Sequence, residues 1–83
     1  MIAILLLLSG CGPVVQTEAC AAYVECLDAR DAALGAETDA LRFEPTGACW
    51  GSAEGATLCT NACERGLTWL RDSYDDLPAE CAQ

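Results

Sequence analysis

Thr17-Glu18-Ala19-Cys20-Ala21-Ala22-Tyr23-Val24-Glu25-Cys26-Leu27-Asp28-Ala29-Arg30-Asp31-Ala32-Ala33-Leu34 is the stretch whose reading decides the fold. It is rich in alanine and holds neither proline nor glycine, so nothing in it breaks a helix. Thr17 is of a type that caps helix N-termini, and Glu18 follows in the first turn, where a negative charge suits the helix dipole. Cys20, Tyr23, Val24, Leu27 and Leu34 recur at three-to-four spacing and define one apolar stripe. Glu25, Asp28, Arg30 and Asp31 are expected mostly outside it.

Outward from this helix the signals stay helical. Gly35 weakens the pattern, and Ala36–Phe43 either continues the helix after a bend or forms a short third one. Pro45-Thr46-Gly47 is a turn signal. Ala48–Gly55 reads as a loop carrying Cys49 and Trp50. A second helix is expected from about Ala56 to Tyr74, with Leu58, Cys59, Ala62, Cys63, Leu67, Leu70 and Tyr74 as its stripe. Gly66 inside it costs about 1 kcal/mol against alanine, and close approach by the first helix would explain it. Asp75-Asp76-Leu77-Pro78 ends that helix, and Ala79–Gln83 is a tail. The expected fold is all-α: a small disulfide-stapled antiparallel helical hairpin over residues 17–83.

The chain has 7 cysteines, an odd number. Setting Cys11 aside leaves Cys20, Cys26, Cys49, Cys59, Cys63 and Cys81, an even set of the kind that forms disulfides in exported small domains. Cys20 and Cys26 point about 120° apart on a helix, so they do not suit a shared partner strip. A turn soon after Leu34 would set Cys26 level with Cys63. The favoured pairing is then Cys20–Cys81, Cys26–Cys63 and Cys49–Cys59. The rival set is Cys20–Cys63, Cys26–Cys59 and Cys49–Cys81. Zinc is disfavoured, because histidine is absent and Cys59-x-x-x-Cys63 is the only tight pair. A redox motif would want Cys-x-x-Cys, which does not occur.

Thirteen acidic residues face 4 basic ones, giving a formal charge of −9, and every charged residue lies at Glu18 or later. That disfavours nucleic acid and polybasic docking on anionic lipid. The acidic balance reads first as a solvated surface that keeps a tethered domain from aggregating, and any charged partner is expected to be cationic. Without histidine there is no imidazole base or ligand, and without lysine no Schiff base or phosphate-loop lysine. Ser9 and Ser52 have no base to activate them, and no carboxylate spacing singles out an acid and a base. The expectation is a protein that is not an enzyme and needs neither cofactor nor metal.

Ile2-Ala3-Ile4-Leu5-Leu6-Leu7-Leu8 is an unbroken apolar run, too short for the roughly 20 residues of a spanning helix and suited to a signal-peptide core. Leu8-Ser9-Gly10-Cys11 follows directly and resembles the bacterial lipobox. The resemblance implies cleavage by signal peptidase II between Gly10 and Cys11, a diacylglyceryl thioether on Cys11, and acylation of the new amino group. Residues 1–10 would then be a signal peptide and residues 11–16 a lipidated N-terminus with a short tether, reaching at most roughly 17 Å. The membrane would be a partner through that lipid. Gly12 is not the aspartate that resembles an inner-membrane retention signal in enteric bacteria, which favours the outer membrane of a Gram-negative cell. The run has no Lys or Arg before it, and the alternative is an ordinary secretory signal releasing a disulfide-rich effector or inhibitor-like miniprotein. The pattern Cys20-x-x-Tyr23-x-x-Cys26, a loop Cys49-Trp50, Cys59-x-x-x-Cys63 and a tail Cys81 resembles small Cys-rich helical lipoproteins of myxobacterial type. That resemblance implies no functional residue beyond the lipobox.

Asp72, Asp75 and Asp76 share one face of a helix end, either as a solvated terminus or as a weak calcium-binding or basic-partner patch. Trp50 and Trp69 read either as exposed recognition residues or, the favoured reading, as Trp50 stacked on a disulfide and Trp69 filling the small core. The functional expectation is a membrane-anchored binding or structural module of the cell envelope, periplasmic or surface-exposed.

Overall fold

The structure, a computed structural model, describes residues 14–82. Two α-helices carry the fold, α1 at Glu18–Leu34 and α2 at Ala53–Ser73. Three short 3₁₀ turns accompany them, at Leu41–Phe43, Ala48–Gly51 and Ala79–Ala82, and no strand occurs among the described residues. The all-α, disulfide-stapled pair of helices is the architecture that the sequence predicts.

Its direction is not. Thr17 and Thr60 share a hydrogen bond between hydroxyls 2.9 Å apart across an offset of 43 residues. Cys20 bonds Cys63 across the same offset of 43, and Tyr23 packs against Gly66 one turn further on. Near the helix ends Arg30 donates to the Tyr74 hydroxyl at 3.3 Å, across 44. Contacts in an antiparallel pair keep a constant sum of residue numbers, and here it is the difference that stays constant. The helices therefore run in the same direction, which corrects the antiparallel expectation.

A parallel pair needs a connection that returns the full length of α1, about 25 Å for 17 residues. Residues 35–52 make that return. Gly35 adopts φ 68°, ψ 31°, and its N–H caps α1 on the Asp31 carbonyl. This is the left-handed conformation that glycine enters without a Cβ penalty. The Asp31 carboxylate then catches the returning chain: Thr38 donates its backbone N–H at 2.8 Å and its hydroxyl at 3.0 Å. By Phe43 the chain is back beside the start of α1, where the Gln16 amide donates to the Phe43 carbonyl at 2.8 Å. Ser52 opens α2 by accepting from Gly55 N–H at 3.0 Å, so α2 begins at Ala53 rather than near Ala56. Ala36–Phe43 forms no third α-helix, only the 3₁₀ turn at Leu41–Phe43.

The disulfides follow from the parallel sense. They are Cys20–Cys63, Cys26–Cys81 and Cys49–Cys59. Cys49–Cys59 is as expected, while Cys20–Cys81 and Cys26–Cys63 are corrected. Nested bridges belong to antiparallel segments. Parallel segments preserve residue order, so the bridges from Cys20 and Cys26 interleave. The tail after α2 folds back to bring Cys81 to Cys26, and the Arg71 Nε donates to the Cys81 carbonyl at 2.6 Å.

The core divides in two. Near the helix N-termini Cys20, Cys49, Trp50 and Cys63 are buried together, with Val14 packed on them. Toward the C-termini Cys26, Leu27, Ala40, Leu67, Leu70 and Cys81 form the second cluster. Tyr23 and Phe43 touch both, their rings edge to face at 5.5 Å. Val14 and Gln16 are thus docked on the fold, so the segment expected as a free tether is shorter than residues 11–16.

Candidate functional site

Each residue singled out in the sequence has a definite place, or lies outside the described residues. Leu8, Ser9, Gly10 and Cys11, together with the rest of the segment expected to be a signal peptide, lie outside them. The six cysteines from Cys20 to Cys81 are consumed by the disulfides, which leaves no thiol among them for nucleophilic or redox chemistry. Ser52 is engaged as the cap of α2. Among the described residues no group of three or more Cys, Asp or Glu side chains is arranged to hold a metal ion. No helix among them is long and apolar enough to cross a membrane.

The two tryptophans part company. Trp50 is buried in one cluster with Cys20, Cys49 and Cys63, and its indole N–H donates to the Glu44 carbonyl at 2.8 Å. Trp69 is 58% exposed, which corrects its place in the core. The buried seam of α2 is Cys63, Leu67 and Leu70, and Trp69 stands about 160° round the helix from Leu67. Leu58 is displaced for the same reason, about 180° from Leu67 and 70% exposed. Leu34, expected in the stripe of α1, is also exposed. Its place in the core is taken by Asp31, about 20° from Cys20 in helical projection. Asp31 is buried with both carboxylate oxygens bonded to Thr38.

Leu34 and Tyr74 come together because both helices end at the same side of the molecule. Between the end of α1 and the turn after α2 lies a groove of about 390 Å³, walled by Arg30, Leu34, Tyr74, Leu77 and Pro78. Asp75 and Asp76 line it too. The Arg30 guanidinium lies over the Tyr74 ring, 4.9 Å from its centre, close enough for a cation–π contact. Its other nitrogen is 3.9 Å from the Asp31 carboxylate. Trp69 meets the same tyrosine edge to face at 5.8 Å. Sequence reasoning missed this grouping. An antiparallel reading sends Leu34 and Tyr74 to opposite ends, and only the long return of residues 35–52 signals otherwise.

A second, acidic hollow is lined by Asp28, Asp31, Glu37, Thr38 and Asp39. Its deepest carboxylate is already satisfied by Thr38. The surface of the described residues offers apolar and charged contacts for binding. No protein-family model, no curated protein and no solved structure matches this chain.

Proposed function

We propose that this chain is a lipid-anchored protein of the bacterial cell envelope that acts as a non-enzymatic binding or structural module. Cysteine parity carries the reading. Three disulfides take Cys20, Cys26, Cys49, Cys59, Cys63 and Cys81. Of the 7 cysteines in the chain, that leaves Cys11 to carry the lipid at the end of Leu8-Ser9-Gly10-Cys11. Disulfides also suit a chain that matures outside the reducing cytosol.

The docked Val14 and Gln16 support a domain held close to the bilayer, with both helix N-termini toward it and both C-termini away. Gly12 favours the outer membrane. Partners are the membrane, through the lipid, and a cationic protein surface, with no nucleic acid.

Mass spectrometry of the mature N-terminus tests the anchor. The expected peptide begins at Cys11 and carries a diacylglyceryl thioether and an amide-linked acyl chain. A peptide beginning at Cys11 without acyl chains overturns it. So does secretion unaffected by globomycin, which would instead support a released effector or inhibitor-like miniprotein.

A further inference from the structure

The parallel sense of the helices gives the two ends of the molecule opposite character. A helix C-terminus carries the negative end of the helix dipole, and here two such ends lie side by side. The last turn of α1 holds no basic residue to offset it. Asp72, Asp75 and Asp76 add three carboxylates at the end of α2 and just beyond it, and all are exposed. None of the three has an ion-pair partner among the described residues. The basic side chains of this end are occupied: Arg30 by Tyr74 and Asp31, and Arg71 by the Cys81 carbonyl. Exposed apolar side chains gather at the same place: Leu34, 64% exposed, lines the groove with Tyr74, and Trp69 meets that tyrosine edge to face. Clusters of aromatic and aliphatic anchors rimmed by charge are the usual form of a protein docking surface.

We propose that this groove docks a basic amphipathic segment of a partner protein. An apolar side chain seats between Leu34, Tyr74 and Leu77, and a lysine or arginine beside it is held by Asp75 and Asp76. This rests on the reading of the chain as a binding module and names its partner class. Charge selects the occupant: a second copy of a chain with net charge −9 would be repelled, and an acidic or neutral segment would leave the carboxylates unmatched. In the anchored protein the groove faces away from the lipid, roughly the length of α1 from it.

The test uses the full chain, oxidised and held in phosphatidylcholine nanodiscs, with ¹⁵N-labelled tryptophan. Its probe is a short amphipathic helical peptide of leucine and lysine. Trp69 and Trp50 give separate indole signals, and Trp50, buried beside the disulfides, reports that the fold is intact. The peptide should move the Trp69 signal and leave that of Trp50. Leu34→Glu and, separately, Tyr74→Ser should each weaken binding about tenfold or more, while Leu58→Glu on the outer face of α2 should leave it within about twofold. Oligolysine without leucine should bind far more weakly. The proposal is overturned if oligolysine binds equally well, if Leu58→Glu weakens binding as much as Leu34→Glu, or if the peptide leaves Trp69 unmoved. A dimer that Leu34→Glu abolishes would overturn it too. The mass of the mature N-terminus is read independently, so a failed groove and a failed anchor are told apart.

Discussion

At the N-terminal end of the helix pair the core is sulfur and one indole: Cys20, Cys49 and Cys63 around Trp50. At the C-terminal end it is Leu27, Leu67 and Leu70 around Cys26–Cys81. The first cluster has little aliphatic surface to bury, so its cohesion is mainly covalent. Cross-links act by removing freedom from the unfolded chain, and by that account a bridge closing 43 residues contributes about 4 kcal/mol. The second cluster gains by burial, about 1.5–3 kcal/mol for each fully buried leucine. A chain this small has too few large apolar residues to build two leucine cores, and it uses disulfides where the leucines run out.

The largest expected effect separates the two ends. Cys20→Ala with Cys63→Ala should cost about 4 kcal/mol, comparable to the whole roughly 3–5 kcal/mol that a core of this size supplies. Cooperative thermal unfolding should be lost or nearly so. Cys26→Ala with Cys81→Ala opens a bridge spanning 55 residues, with a similar entropic cost of about 4 kcal/mol. Leu27, Leu67 and Leu70 still hold the helices together there, so a cooperative transition should survive at lower temperature while the tail detaches. Calorimetry on the two double variants decides it, and the reverse order would show that the sulfur cluster is not what holds the N-terminal end. Next in size is Leu70→Ala. Leu70 is almost fully buried, and its truncation should cost about 2–5 kcal/mol in urea titration. A loss below 1 kcal/mol would mean that the leucine end, too, depends mainly on its disulfide.

What the sequence revealed was the identity of the elements. The bounds of α1, the stop at Gly35 and the close approach at Gly66 all follow from local chemistry, which a chain carries residue by residue. What it concealed was direction. Periodicity reports which face of a helix is buried and says nothing of which way its neighbour runs. The strongest clue was the connection itself, since antiparallel neighbours are typically joined by roughly 2–8 residues and residues 35–52 are far more than that. A turn at Gly35 implies the other register, and with it the two exchanged disulfides. The charge of Asp31 argues for solvent, although its angle on α1 matches that of Cys20. Trp69 and Leu58 carry the opposite conflict, their hydropathy pointing inward and their angle outward. The groove could not be read at all, because it exists only if the helices are parallel. The Leu8-Ser9-Gly10-Cys11 stretch lies outside the described residues, and its resemblance to a lipobox stands on the sequence.

Gly66→Ala probes the seam between the two clusters. A Cβ there would lie 2.6 Å from Cε1 and 2.9 Å from Cζ of Tyr23, and Tyr23 is backed by Phe43. Overpacking of this kind costs about 1–3 kcal/mol, against the gain of about 1 kcal/mol from replacing a helical glycine. The net effect should be a loss of about 1 kcal/mol by urea titration. A gain in stability would show that the tyrosine can swing aside and that the two clusters are not coupled through it.

The smallest expected effects lie on the outer face of α2. Leu58 and Trp69 project in nearly the same direction, about 20° apart round the helix, and both are largely exposed. Leu58→Ala and Trp69→Ala should each change stability by no more than about 0.5 kcal/mol, the usual range for surface substitutions. Equal silence in urea titration would place both side chains outside either cluster. It would also sharpen the distinction between them, because Trp69 touches Tyr74 at the groove and Leu58 lies at the other end of α2. A side chain that contributes nothing to folding, yet whose removal weakens peptide binding, is placed there for contact with something else. If Trp69→Ala instead costs more than 1 kcal/mol, the tryptophan belongs to the leucine cluster, and the C-terminal end is a larger core with a smaller surface for docking.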